Sequence, residues 1–392
     1  MSVDEVVALS SRFSDMADQV FHRMPLYRRL CEGAAADRDV VERLLLAHPD
    51  QRAPNLLLAA VHDVLLASGG EDPLAEWYPS LASHAARTGV RTRPVGHGDA
   101  DPWPHFRRLA LEDPVVERHL RTRATQTNEV GRTLALVPAL FDAASNAGSA
   151  PTGGIRPLGL VEVGASAGLN LRLDAYGYRY HLAPGQADRG EVTGSVEAIG
   201  SAARLVLECQ LRGSLVPKLP AAPLPLASAV GIDRNPLEVN DAEDARWLEA
   251  CQWPEEGERL ERLRSAIALA QDDPPKVVPG DAVADVARHV LEVPPHALPV
   301  VIATWTLAYL PVVGQQALLA ELDQVAEQRD LAMVLSEQPE RVPGIPIPPR
   351  PDGQPDGRAT ALVRVEWRGG ERTAHRLADQ HPHGTWIEWL AT

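Results

Sequence analysis

The chain has 392 residues and a formal net charge of −15. That length allows about two or three domains, or one large domain with insertions, and a core that needs no staples. The acidic balance disfavours nucleic acid as the main partner, because phosphate contacts need clustered Lys and Arg, and no apolar run approaches the roughly 20 residues of a membrane span. Cys31, Cys209 and Cys251 are the three cysteines and form no CxxC pair. This argues against a disulfide framework or a thiolate zinc site and suits a reducing cytoplasm. Met1–Glu5 shows no basic region leading into an apolar core, so export is not expected.

Residues 1–125 carry helical periodicity. Val40–Leu46 and Asn55–Leu66 repeat apolar positions at spacings of three and four, as packed helices require. A helical N-terminal domain over 1–145 is predicted. Near its end, Gln126, Asn128, Glu129 and Arg132 crowd one short stretch before the apolar run Leu134–Leu136. Glu129 and Arg132 are three apart and share a helix face, either as a solvated ion pair or as a polar edge holding a substrate. Asn146–Gly154 reads as a linker.

The stretch Leu158–Asn170 is the centre of the chain. Leu158, Leu160, Val161 and Val163 read as a buried strand around Glu162, and Gly164-Ala-Ser-Ala-Gly168 turns with almost no side-chain bulk. An apolar pattern of helical type resumes at Leu169–Leu173. Strand, small-residue turn and helix is the geometry in which backbone N–H groups approach a ligand closely. Three readings of this stretch are open: a nucleotide-type loop, a Gly-x-Ser-x-Gly nucleophile elbow with Ser166 as nucleophile, and a tight connection with no ligand.

Residues 174–228 read as an insertion, a β-hairpin and lid. The alternating aromatics of Asp174–Leu182 suggest a strand, paired with Ala203–Leu211. Strands then alternate with helices: Ala229–Asp233, Lys276–Ala282, Leu298–Tyr309 and Leu331–Glu337, followed by an antiparallel pair across Arg368–Gly370. The fold class predicted is α/β: a helical N-terminal domain and, over 155–392, a doubly wound, mostly parallel sheet.

Ligands bind such sheets at the carboxyl ends of strands, here Glu162, Gly164 and Gly168, then Asp233, then Asp281, then Thr304, Thr306 and Tyr309. Over 155–390 this order resembles the class I S-adenosylmethionine (SAM)-dependent methyltransferases, and Val230–Val239 is close to their second strand and loop. The resemblance implies that Gly164, Ser166 and Gly168 hold the amino-acid moiety of SAM, with Glu162 beside them. It also implies that Asp233 takes the ribose and Asp281 the adenine edge. Ser166 replaces the usual middle glycine, and Asp233 lies far beyond the roughly 20 positions expected after the loop. The chain also resembles a bacterial family catalogued only as a domain of unknown function. The matching words are Thr127–Arg132, Glu162–Leu171, Gly231–Pro236 and Asp244–Pro254.

The function expected is that of a SAM-binding, methyltransferase-like enzyme acting on a small polar metabolite. Glu129, Asn128 and Tyr309 are the catalytic candidates, and Arg132, Asn170, Asp174 and Thr306 the substrate-side ones. An alternative is a SAM-independent enzyme on the same fold catalysing an intramolecular displacement or ring closure, with Glu129 or Asp174 orienting or deprotonating an amine. Another is a non-catalytic partner subunit; assembly with a second copy or a different chain is compatible with the sequence. The hydrolase reading lacks earlier strands and an HGGG-type oxyanion loop, although His381 and His383 lie downstream and Asp281 or Glu337 could orient one of them. His381-Pro-His383 has no HExxH-type carboxylate spacing and reads as a surface turn, so no metal site is expected. Trp305 is placed in a pocket wall.

Overall fold

In a computed structural model of the chain, residues 3–81, 92–96, 98–148, 154–182, 195–198, 203–355, 357 and 359–391 are described. The chain divides into two compact units, Met1–Thr127 with Asn240–Arg264, and Asn128–Val239 with Ser265–Thr392. Among the described residues no helix is long and apolar enough to cross a membrane.

The first unit is helical: α1 (Val3–Asp15), α2 (Pro25–Ala35), α3 (Arg38–Arg43), α4 (Pro54–Ala67), α5 (Trp103–Glu112), α6 (Pro114–Thr122) and α8 (Ala242–Ala250). It takes in a segment distant in sequence, and buried polar contacts explain why. Asp63, on α4, accepts hydrogen bonds from His119 Nε2 at 2.8 Å and Arg246 Nε at 2.9 Å. The Trp247 indole donates to the Ala124 carbonyl at 2.9 Å. Glu255 accepts from the Leu26 and Tyr27 N–H groups in the first turn of α2, donors that no helix can satisfy internally.

The second unit holds α7 (Thr133–Asn146) and one mixed sheet in the order β3-β2-β4-β11-β10-β9-β8-β7-β1-β5-β6. The strands are β1 (Leu158–Val163), β2 (Gly177–Leu182), β3 (Ser195–Ala198), β4 (Val206–Arg212), β5 (Leu226–Asp233), β6 (Val277–Pro279), β7 (Leu298–Thr304), β8 (Leu331–Glu337), β9 (Thr360–Arg368), β10 (Glu371–Gln380) and β11 (Trp386–Trp389). Most neighbouring pairs are parallel. β1, β7 and β8 are buried at every position, the signature of central parallel strands covered on both faces. Val161 and Val163 share a core with residues of α10 (Ala282–Glu292) and α11 (Val312–Ala326). Because side chains alternate along a strand, Glu162 points to the opposite face.

Three features differ from the sequence reading. The helical stretch expected to run to 145 divides at Thr127, and α7 belongs to the sheet-bearing unit. The segment after Gly168 is a 3₁₀ helix, Leu169–Ala175, interrupted by non-helical angles at Arg172, and not a regular amphipathic helix. Residues 174–228 supply β2, β3 and β4 to the same sheet. β2 and β4 pair in parallel, while β2 and β3 form the antiparallel pair. Residues 183–194 and 199–202, where part of a lid was expected, lie outside the described residues.

Candidate active site

Running outward from β1, the chain builds β5 and then β6 on one side before returning to place β7 on the other. The strand order therefore reverses between β1 and β7, the position at which open α/β sheets bind ligands. The turn Gly164–Gly168 leaves β1 there. Gly164, Ser166 and Gly168 have φ of 68°, 55° and 74°, a left-handed region that costs a non-glycine residue energy. A Cβ on Gly164 would lie 2.4 Å from Cγ2 of Thr306, and one on Gly168 would lie 2.7 Å from Cγ2 of Val277. Both glycines are thus required by neighbouring side chains.

The turn's backbone donors point into the protein. Gly164 and Ala165 donate to the Ile232 carbonyl at 2.8 and 3.3 Å, and Gly168 donates to Ala165 at 2.7 Å. Ser166 N–H donates to Asp233 Oδ2 at 2.8 Å, and Leu169 N–H to Asn128 Oδ1 at 2.9 Å. Asp233 Oδ1 also accepts from Asn235 N–H at 2.8 Å. The acid that ends β5 is a clamp on the turn that follows β1.

Beneath the turn lies a buried polar centre. Glu162, 1% exposed, accepts a hydrogen bond from Asn170 Nδ2 at 2.8 Å. Burial pushes its carboxyl up to about 8, against the pull of Asn170 and the Arg132 guanidinium. Glu337, fully buried at the end of β8, accepts from the N–H groups of Thr306 and Leu307 at 2.7 and 2.9 Å. Burial raises its carboxyl to about 7, again against Arg132. Arg132 donates to the Thr304 carbonyl at 3.0 Å, so one guanidinium at the end of β7 acts on both carboxyls. Glu162 Oε2, Ser166 Oγ, Asn170 Oδ1, Glu337 Oε2 and Gln380 Oε1 are buried with no hydrogen-bond partner among the described residues.

The segment 128–132 is held in place by the 381–384 turn. Glu129 Oε1 accepts from Gly131 N–H at 3.0 Å, its Oε2 lies 3.6 Å from His383 Nδ1, and Arg132 Nε donates to Pro382 at 3.3 Å. A Cβ on Gly384 would stand 2.1 Å from the Gly131 carbonyl oxygen, so the two turns interlock through bare backbone.

The structure therefore gathers Asn128, Glu129, Arg132, Glu162, Gly164, Ser166, Asn170, Asp233 and Thr306 around one strand-end region. Other candidates are employed elsewhere. Asp281 caps α10, accepting from Val283 and Ala284 N–H, and pairs with Arg234 at 2.7 Å. That arginine is the main cause holding its carboxyl below the usual range. Tyr309 is 82% exposed and Asp174 is exposed. Ser166 Oγ meets no base among the described residues, so the nucleophile-elbow reading lacks its second member. His383 lies in a turn, as expected, with its side chain 22% exposed and its ring 3.6 Å from the buried Glu129 carboxylate. From sequence Glu337 enters only as an acid able to orient a downstream histidine, and Gln380, the last residue of β10, is not singled out. Trp305 has a φ of 55° and donates its indole N–H to Thr360 Oγ1 at 3.3 Å, a strained position for a bulky side chain at a strand end.

A family model described as an uncharacterized protein conserved in bacteria, DUF2332, matches residues 10–389. No curated protein and no solved structure matches the chain. With nearly its whole length covered by that model, the chain belongs to the bacterial DUF2332 family.

Proposed function

We propose that the chain is an enzyme for a small polar metabolite, with a buried acid–base centre at the carboxyl ends of β1, β7 and β8. One observation carries this reading. Two carboxyls, Glu162 on β1 and Glu337 on β8, are buried toward the carboxyl ends of the strands that flank β7, and each has one oxygen without a hydrogen-bond partner among the described residues. Their ionisation at about 8 and about 7 lets each give or take a proton near neutrality, and such perturbed groups cluster at functional sites. Asn170, Thr306 and Leu307 fix the two carboxyls, Arg132 offsets charge that develops on them, and Asn128 positions the turn above. The centre suits a displacement within one molecule. There the nucleophile's lone pair forms the new bond, the leaving group departs with its electron pair, and the nucleophile's proton passes to a carboxylate.

A second reading is SAM-dependent methyl transfer by a methyltransferase-like sheet. It is favoured by the strand order on either side of β1 and by the acid ending β5 beside the glycine turn. The fit of the remaining residues counts against it. Five backbone N–H groups of the turn and its exit already donate within the protein. Thr306 and Val277 fill the space beside the glycines, and Asp281 is committed to a helix cap and Arg234.

Calorimetric titration with SAM and with its demethylated product separates the readings, since saturable heat at millimolar ligand or below supports methyl transfer. For the acid–base reading, the protein is incubated with a small-molecule bacterial extract and substrate depletion is followed by mass spectrometry without SAM. Depletion by the wild type and not by folded Glu337→Gln is expected. Equal depletion by both would sink the proposal.

A further inference from the structure

The orphan atoms of the buried centre have a common chemistry. Glu162 Oε2, Asn170 Oδ1, Ser166 Oγ, Glu337 Oε2 and Gln380 Oε1 can all accept a hydrogen bond. The parent residues are no more than 4% exposed. Leaving a buried polar atom unpaired costs about 1–3 kcal/mol, and none of the five finds a hydrogen-bonding partner among the described residues. Charge points the same way. Once ionised, Glu162 and Glu337 would share a single guanidinium, Arg132, while Asp233 adds a further carboxylate acting on Glu162.

We infer that the ligand of this centre carries an amine, and that its ammonium group is received by Glu162 Oε2 and Asn170 Oδ1 with release of the Glu162 proton. The inference rests on the acid–base reading above and names its substrate class. The exchange balances: a neutral Glu162 carboxyl and an ammonium ion from solution give a carboxylate–ammonium pair and one proton delivered to buffer. Asn170 already donates to Glu162 Oε1, which leaves Oε2 and the amide oxygen to accept. The charged or titratable groups acting on Glu162 are Arg132, Asp233 and Tyr176. Arg132 favours the ionised carboxyl. Asp233 opposes it, and the Tyr176 hydroxyl is held neutral by burial. An arriving cation adds to the pull of Arg132 and overcomes the burial that keeps Glu162 protonated.

Proton release makes the sign of the pH dependence diagnostic. With Glu162 ionising at about 8, the apparent affinity for an amine rises about tenfold per pH unit from 6 to 7.5 and levels off above 8. An anionic ligand accepted by the neutral carboxyl would bind more weakly as pH rises. The test uses the full chain, with 1,3-diaminopropane and L-lysinamide as amine probes and acetate and succinate as anion probes. Thermal shift and calorimetry are run from pH 6 to 8.5 in buffers of different ionisation enthalpy. The expected result is amine binding with about one proton released at pH 7. Glu162→Gln, which keeps the shape and the Asn170 contact, should abolish the release and most of the affinity, and Asn170→Ala should weaken binding without removing the release. Anion binding with the opposite pH trend, sensitive to Glu162→Gln, would overturn the amine assignment while leaving the centre as a ligand site. No response to either probe class, as when water alone fills the space, would overturn the inference. If Glu337→Gln also left extract turnover unchanged, the acid–base reading would fall with it.

Discussion

Ser166 and Asp233 are joined by a backbone N–H to carboxylate hydrogen bond of 2.8 Å, so the end of β5 dictates the conformation of the turn after β1. Asp233→Ala removes this acceptor and the one used by Asn235 N–H. A loss of about 1–3 kcal/mol is expected from the stranded donors, with Asp233→Asn milder because its amide oxygen still accepts. Urea denaturation of the two variants checks the order. Equal stability of Asp233→Ala and wild type would show that the clamp is unnecessary.

Stability should fall as pH rises through the neutral range. Glu162 and Glu337 ionise at about 8 and about 7 when folded, against an ordinary value of 4.5. The folded state therefore binds more protons than the unfolded chain between those limits. The stabilisation is complete below about 4.5 and is lost progressively up to the folded values. Glu162→Gln and Glu337→Gln should each flatten the decline, read as urea midpoints from pH 5 to 9. An unchanged slope in both would mean that neither carboxyl is buried neutral.

Two glycines of similar φ should respond differently to alanine. Gly384 and Gly353 have φ of 72° and 71°, so each substitution carries the left-handed penalty of about 1 kcal/mol. Only at Gly384 would the new Cβ also meet backbone, 2.1 Å from the Gly131 oxygen, while Gly353 has open space. Gly384→Ala should cost about 3 kcal/mol or more and Gly353→Ala about 1 kcal/mol. Thermal melts of the pair test this, and similar melting points would exclude the interlock.

In the helical unit, Asp63 is 1% exposed and joins α4 to His119 and Arg246. Asp63→Asn should cost about 3 kcal/mol, since it leaves a partly buried guanidinium without its carboxylate. A fragment of residues 1–127 lacks Arg246, Trp247 and Glu255 and should show no cooperative unfolding. A sharp thermal transition in that fragment would refute the role given to 240–264.

The sheet was legible where its causes are local. β1, β7 and β8 are mostly apolar runs, and the Arg368–Gly370 turn has two glycines at positive φ, as its hairpin needs. The parallel pairing of β2 with β4 and the strand Trp386–Trp389 were not legible, because each depends on a partner distant in sequence. At the site, Glu162, Asn170 and Asp233 stood out from their places at strand ends and turns. Glu337 and His383 entered only through the hydrolase reading, since tertiary contacts alone bring them to the segment 128–132. At Asp281 the local pattern is ambiguous. An acid between a strand and a helix is equally a ligand-binding position and an N-cap, and here the cap and the Arg234 ion pair claim it.

The position of β11 bears on how the sheet is made in the cell. β11 stands between β10 and β4, so β3, β2 and β4 reach the other strands only through it. During synthesis, β4 emerges long before the tetrapeptide Trp386–Trp389 and must wait with one edge bare. Unpaired edges of this kind invite association with other chains. The synthesis of β11, a strand of four residues, thus sets how long β4 keeps an open edge.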